Sequence, residues 1–276
     1  MTNDSTDSTR RSWDVATRNH NAHKGDQAAW LRGGGDTLFP EELQLLGELQ
    51  GQAVVHLQCN AGQDTLCLAR RGATVTGVDF SGEAVAFAEQ LSRATGLPAR
   101  FVLSEVCAWM EATDARFDVA FCSYGVVGWQ PDLPRWARGV ARVLRPGGRL
   151  VYVDFHPVCW SVGEAARLSG DDYFQEAPFV SPVGDYVKDS AAGLGAVQVG
   201  VTEENTVPAT SFQYGLGQVV QALLDAGLRL EALREYPHAN GCKVVPGLVP
   251  AEGRRWAWPE GTARVPLMFG LAARRP

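Results

Sequence analysis

Residues 53–81 read AVVHLQCNAGQDTLCLARRGATVTGVDFS, and the changes of pattern inside this stretch decide the fold. Ala53–Leu57 is a short apolar run, Asp64–Arg71 is helical in pattern and closes at Gly72, and Thr74–Asp79 is a second run rich in β-branched residues. Strand, helix and strand in that order begin a parallel sheet, because parallel neighbours need a crossover between them.

The same alternation continues outward. Ser81 is placed to cap the next helix, with Glu83 in its first turn and Ala84, Phe87, Ala88 and Leu91 on one face, before Gly96-Leu97-Pro98 stops it. Ala99–Leu103 is a third strand and Phe117–Ser123 (FDVAFCS) a fourth. Asp132 opens a helix with the apolar stripe Leu133, Trp136, Ala137, Val140 and Leu144; Pro146-Gly147-Gly148 ends it, and Arg149–Phe155 (RLVYVDF) is the fifth strand. Leu216, Val219, Val220, Leu223 and Leu224 mark a helix ending near Gly227, Leu228–Tyr236 a sixth strand, and Pro266–Ala273 a seventh that pairs with the sixth. The expectation is an α/β fold with a doubly wound sheet.

Two segments exceed this frame. Residues 1–50 are expected to form an N-terminal lid or helical extension, with the Ser/Thr/Asp-rich first ten disordered; a helix from Phe39-Pro40-Glu41-Glu42 to about Leu49 leads into the first strand. The stretch at about 156–212 is too long and aperiodic for a connection, and is expected to be an insertion that covers the site.

Composition bounds the function. The chain has 276 residues, 45% of them hydrophobic, and 25 Lys+Arg against 31 Asp+Glu give a net charge of -6. That balance disfavours a broad nucleic-acid or anionic-membrane surface and points to a small-molecule partner. The N-terminus MTNDSTDSTRRSWD has no signal-peptide core, and no apolar run approaches the ~18 residues of a membrane span. The six cysteines show no C-x-x-C and no zinc spacing, so reduced thiols, no metal site and a cytoplasmic location are expected.

In an open α/β sheet, ligands lie over the carboxyl ends of the strands. The first such loop is Gln58-Cys59-Asn60-Ala61-Gly62, where Gly62 and Asn60 suit left-handed backbone; a ligand-wrapping turn and a plain structural turn are both open. Asp79 ends the second strand, placed either to accept hydrogen bonds from ribose hydroxyls or to meet the following helix dipole. Glu105 and the Val106 N–H follow the third strand and suit an adenine edge, or a solvated loop. His156, directly after the fifth strand, is a candidate base or a histidine bonded to the insertion backbone. Tyr124 and Trp129 are pocket walls or plain packing. Asn19, His20 and His23, in a polar segment of the extension, are lid groups that meet cofactor or substrate, or an exposed turn.

Four segments together, VVHLQCNAGQDTLCLARRGATVTGVDFS (54–81), FVLSEV (101–106), FDVAFCSYGVVGW (117–129) and LRPGGRLVYVDF (144–155), resemble the class I S-adenosylmethionine-dependent methyltransferases. The resemblance covers about residues 50–155, with the later helix and strands fitting the end of that fold. It implies a Rossmann-like seven-stranded sheet with the last strand antiparallel, and methyl transfer from S-adenosylmethionine to a small molecule. It further implies that Gln58, Cys59, Asn60 and Gly62 wrap the methionine part, that Asp79 holds the ribose, and that Phe80 and Val106 flank the adenine, whose amino group meets Glu105. Ser123 and Tyr124 would face the methyl group, with Tyr124 and His156 as catalytic candidates. The sequence departs from the family at three positions: His56 replaces the usual acid, and Gln58 and Asn60 replace glycines. Two other classes remain in view: a non-catalytic protein binding the cofactor or S-adenosylhomocysteine, and an NAD(P)-dependent oxidoreductase. The absence of G-x-G-x-x-G and of Tyr-x-x-x-Lys opposes the second.

Overall fold

The structure, a computed structural model, describes residues 3–163, 171–189 and 202–276. Three helices come first: α1 (Asn3–Ala22), α2 (Gln27–Arg32) and α3 (Pro40–Leu46). The sheet then builds through β1 (Ala53–Leu57), α4 (Gln63–Arg70), β2 (Thr74–Asp79), α5 (Gly82–Thr95), β3 (Arg100–Leu103), α6 (Val106–Ala112), β4 (Phe117–Ser123), α7 (Leu133–Val143) and β5 (Leu144–Phe155). After β5 come β6 (Phe179–Pro182), α8 (Tyr186–Asp189) and β7 (Pro208–Ser211), then α9 (Leu216–Asp225) and β8 (Arg229–Tyr236). Three short strands, β9 (His238–Asn240), β10 (Val249–Ala251) and β11 (Arg255–Ala257), precede β12 (Met268–Arg274).

The main sheet has the order β3-β2-β1-β4-β5-β12-β8. β1 pairs in parallel with β2 on one side and with β4 on the other, so strand order reverses between β1 and β4, the place where ligands bind in such sheets. β12 runs antiparallel to both of its neighbours, wedged between β5 and β8, as the resemblance implies. Successive residues of the central strands feed opposite faces. Ala120, Cys122, Leu150 and Tyr152 join Trp136, Val140 and Leu223 on one side; Val119, Phe121 and Val151 join Leu31, Leu46, Leu66 and Leu91 on the other.

Local signals explain most element ends. Ser81 accepts from Ala84 N at 3.1 Å and caps α5, which stops at left-handed Gly96; Asp132 caps α7 from Arg135 N at 2.7 Å. Two expectations need correction. Residues 3–10 are helical rather than disordered: α1 starts at Asn3, and its inward stripe, Thr9, Ser12, Ala16, Asn19 and His20, is buried but mostly polar, so no apolar period announced it. The Pro146-Gly147-Gly148 segment belongs to β5, which begins at Leu144 rather than Arg149. A small sheet of order β10-β11-β9 lies between β8 and β12, in strands too short to leave a period. In the insertion, β6 and β7 pair antiparallel; positions 164–170 and 190–201 lie outside the described residues.

Candidate functional site

The loop after β1 carries unusual backbone. Gln58, Asn60 and Gly62 have φ of 56°, 46° and 79°, and Tyr124 after β4 has φ 49°. Non-glycine residues with positive φ cost free energy and gather where a fold holds a site. At Gly62 a Cβ would also sit 2.6 Å from the Ala88 Cβ, so glycine is needed both for φ and for the approach of α5. Cys59 is buried, with Sγ 2.8 Å from where a Gly77 Cβ would stand; its thiol packs under the loop. The Gln58 amide donates to Val126 O at 2.8 Å and leaves a buried Oε1 without a partner.

Asp79 is 6% exposed at the end of β2, its two oxygens accepting from Asn60 N at 2.8 Å and Ser81 N at 2.9 Å. Burial raises its pKa to about 6, despite the hydrogen bonds that favour the anion. Each oxygen keeps lone-pair capacity for a further donor. Beside it opens a cleft of about 530 Å³ lined by Thr6, Asp7, Arg10, Phe80, Leu103, Ser104 and Glu105. Leu103 is 58% exposed there, an apolar surface that an aromatic base can cover. An anchored acceptor beside an apolar cleft fits the ribose and adenine of an adenosine cofactor. Both carboxylate oxygens of Glu105 cap α6, accepting from Cys107 N and Ala108 N at 2.8 Å each. Val106, the first residue of that helix, is buried.

At the end of β4, Ser123 Oγ donates to Asp64 Oδ2 at 3.0 Å and lies 3.4 Å from His56 Nε2, whose Nδ1 is 2.8 Å from Thr65 Oγ1. Burial lowers the His56 pKa to about 4, so a neutral imidazole fills the position of the usual acid, while Asp64 supplies a carboxylate from α4. The Tyr124 hydroxyl donates to Glu42 and accepts from Asn240 Nδ2 at 3.0 Å. Burial drives both the phenol and the Glu42 carboxyl well above their usual ranges. Sequence reading missed Glu42, and also Asp154, buried in β5, which accepts from Gly125 N at 2.6 Å and Val126 N at 3.3 Å and so fixes the turn after Tyr124. A carboxylate inside the apolar run RLVYVDF was the available signal for Asp154.

The N-terminal helix is fastened to the insertion by the residues expected in a lid. Asn19 Nδ2 donates to Glu203 O at 2.8 Å and Asn19 Oδ1 accepts from Glu203 N at 3.1 Å. His23 Nε2 reaches Asp185 Oδ2 at 3.0 Å, and His20 Nε2 reaches Gly184 O at 3.0 Å. The His20 ring lies 4.2 Å from that of Tyr186, and its buried Nδ1 has no partner. Asp14 accepts from Ser81 Oγ at 2.6 Å and so joins α1 to α5. Trp129 meets Trp13 of α1 edge-on at 5.2 Å. No metal-binding cluster of His, Cys, Asp or Glu occurs among the described residues.

His156 lies apart from this constellation. Its Nδ1 accepts from Val158 N at 3.1 Å, its Nε2 is 2.9 Å from Glu235 Oε1 on β8, and its ring packs edge-on against Phe269. Both nitrogens are engaged, and burial lowers the pKa despite Glu235. The structure thus brings together Gln58, Asn60, Gly62, Asp79, Phe80, Ser123 and Tyr124 at one edge of the sheet, and leaves His156 toward β12 and β8.

A methyltransferase-domain family matches residues 54–148. An uncharacterised methyltransferase of Synechocystis is 33% identical over 135 residues, 48% of this chain and 61% of that protein. A ubiquinone biosynthesis O-methyltransferase of Alkalilimnicola ehrlichii is 31% identical over 165 residues, 55% of this chain and 64% of that one. The matches thus span less than two thirds of these relatives' own lengths. Among solved structures, an S-adenosylmethionine-dependent methyltransferase of Mesorhizobium loti superposes with a TM-score of 0.59 at 21% identity, covering 88% of this chain and 99% of that one. One from Methanosarcina mazei gives 0.52 at 20%, covering 86% and 98%. The matched segment runs from β1 into β5, so residues 54–148 are similar to a methyltransferase domain, and the sheet with its antiparallel β12 has the fold of these S-adenosylmethionine-dependent methyltransferases.

Proposed function

We propose that the protein transfers a methyl group from S-adenosylmethionine to a small organic acceptor. The observation that carries this reading is Asp79, a buried carboxylate fixed by two backbone N–H groups at the rim of an apolar cleft, at the end of the second strand. When bound, the cofactor supplies an electrophilic methyl group on a sulfonium centre. The chain's own residues then bind, orient and exclude water. Asp79 accepts from the ribose hydroxyls, and Phe80 and Leu103 face the base. The Gln58–Gly62 loop encloses the methionine end, and Ser123 and Tyr124 form the wall beside the methyl group.

Tyr124 serves as an oriented wall rather than a base, since its proton is committed to Glu42. His20 is better placed to meet the acceptor. With Nε2–H donating to Gly184 O, the tautomer leaves a lone pair on Nδ1, and a pKa lowered to about 4, chiefly by burial, keeps the ring neutral. An acceptor hydroxyl or amine donating to that nitrogen is oriented by it. α1 and the β6–β7 insertion close over the cleft as its water-excluding cover.

Five of the six unbridged cysteines are buried, and we place the protein in the cytoplasm on that ground. No helix among the described residues is long and apolar enough to cross a membrane. Since two curated relatives are named for ubiquinone and phytyl-naphthoquinone methylation, hydroxylated aromatic rings head the acceptor screen. Calorimetry with S-adenosylmethionine, S-adenosylhomocysteine and NADH tests the cofactor, and release of S-adenosylhomocysteine across the screen tests transfer. Binding of NADH alone overturns the reading; cofactor binding with no product from any acceptor reduces it to a binding protein.

A further inference from the structure

The three short strands between β8 and β12 form a sheet of their own, outside the main one, yet they carry a line of side chains that ends at the site. β9 and β11 pair antiparallel with Arg255 opposite Asn240 and Ala257 opposite His238, so Arg255, Asn240 and His238 share one face. That face meets Glu41 in the first turn of α3: His238 Nε2 lies 2.9 Å from Glu41 Oε1, Arg255 Nη2 donates to the same oxygen at 2.6 Å, and Asn240 Nδ2 donates to Oε2 at 3.3 Å. A second donor of the Arg255 fork, Nε, reaches Asn240 Oδ1 at 3.1 Å. Asn240 and Glu41 are both buried. These contacts give the Asn240 amide a single orientation. A guanidinium only donates, so the amide oxygen faces Arg255; turned over, the amide would set N–H against the guanidinium and its oxygen against the Glu41 carboxylate. Nδ2 is thereby aimed at Tyr124, whose hydroxyl accepts from it at 3.0 Å and donates in turn to Glu42, which also accepts from Phe39 N at 2.7 Å. From Arg255 through Asn240 and Tyr124 to Glu42 every hydrogen bond runs the same way, and in such a chain each bond polarises and strengthens the next. The Tyr124 proton is turned toward α3, and the phenol oxygen keeps one lone pair for a donor on a ligand.

We propose that Arg255, Glu41 and Asn240 are positioning residues for methyl transfer: through this chain they hold the Tyr124 hydroxyl as a hydrogen-bond acceptor against which an O–H or N–H of the molecule to be methylated is oriented. The inference rests on the transfer reading above and adds to it a role for the β9–β11 appendage, which acts through Tyr124. The backbone supplies the other half of the placement, since Tyr124 stands at φ 49° and the turn after it is held by Asp154.

The test reads position and turnover separately. With 3-fluorotyrosine in place of the six tyrosines, the fluorine resonance missing from Tyr124→Phe reports the surroundings of this hydroxyl without any acceptor. Arg255→Lys keeps the charge and loses the fork, and Asn240→Ala removes the donor; each should shift the Tyr124 resonance while S-adenosylhomocysteine binds within about twofold of its wild-type affinity. With the hydroxylated aromatic acceptor that gives product, each should lower kcat roughly 5- to 20-fold, the scale of one hydrogen bond, with the cofactor KM little changed. Neither should lower kcat further in the Tyr124→Phe background, because the group they act through is already gone. A Tyr124 resonance that stays in place overturns the inference, and either variant alone decides this if the other fails to fold. Losses in kcat that add in full to that of Tyr124→Phe also overturn it and leave the transfer reading intact. A wild-type protein that binds S-adenosylhomocysteine and gives no product from any acceptor overturns both.

Discussion

Replacing Asp79 with Asn separates what this carboxylate does for binding from what it costs the fold. The group is buried and its pKa is raised from 3.8 to about 6, so at neutral pH its ionisation opposes folding. The difference of about 2.2 units corresponds to roughly 3 kcal/mol at 1.36 kcal/mol per unit. In sign, the folded state holds a proton that the unfolded state has already released between the two values, so wild-type stability falls as pH rises from about 4 to about 6 and is level above. Asp79→Asn abolishes that slope. In both the amide and the protonated acid, one of the N–H donors of Asn60 and Ser81 loses its charged acceptor, so that cost cancels when the two proteins are compared at low pH. Denaturation at pH 4 and pH 7.5 should show the variant gaining on wild type by roughly 2 to 3 kcal/mol across the interval. Binding moves oppositely: S-adenosylhomocysteine affinity should drop by about 1.5 to 3 kcal/mol at pH 7.5, the scale of hydrogen bonds to a charged acceptor. Wild-type affinity itself should decline as pH falls below about 6, where the carboxylate protonates. A variant that neither gains stability with pH nor loses affinity would show that Asp79 is only a turn-forming side chain.

Three further perturbations test other parts of the site. His156 caps the short 3-10 turn Pro157–Ser161 through Val158 N, so His156→Ala should lower stability by about 0.5 to 2 kcal/mol and leave cofactor affinity unchanged in calorimetry; a loss of turnover at wild-type stability would return the residue to the mechanism. Gly62→Ala places a methyl 2.6 Å from the Ala88 Cβ in a left-handed backbone, and chemical denaturation should show a loss of roughly 2 to 4 kcal/mol from strain and overpacking together. Asn19→Ala removes both hydrogen bonds to the Glu203 backbone and should speed S-adenosylhomocysteine dissociation in stopped flow with little change in global stability; an unchanged off-rate would mean that α1 does not gate the cleft.

The parts of this molecule that could be read from its sequence are those held by apolar burial with a regular period. Val54, Val55 and Leu57 in β1, or Val140 and Val143 in α7, announce themselves because one face must leave water. The N-terminal helix is held differently. Thr9, Ser12, Asn19 and His20 are buried through hydrogen bonds to the distant residues Thr210, Val183, Glu203 and Gly184, and a polar residue gives no sign of which partner will satisfy it. The same holds inside the site. Asp79 was legible because its place at the end of β2, paired with β1, fixes both of its neighbours, Asn60 after β1 and Ser81 after β2. Glu42 was not, because it takes its meaning from a group far along the chain, Tyr124, and alone it reads as a solvated charge. A closed cover made of polar contacts is also one that can open at modest cost, since each neutral hydrogen bond contributes on the order of 1 kcal/mol net and water can replace it. An apolar lid of equal area would close more tightly and release product more slowly. The feature that hides this helix from sequence reading is thus the same one that would suit it to the proposed role of a cover that opens for the cofactor.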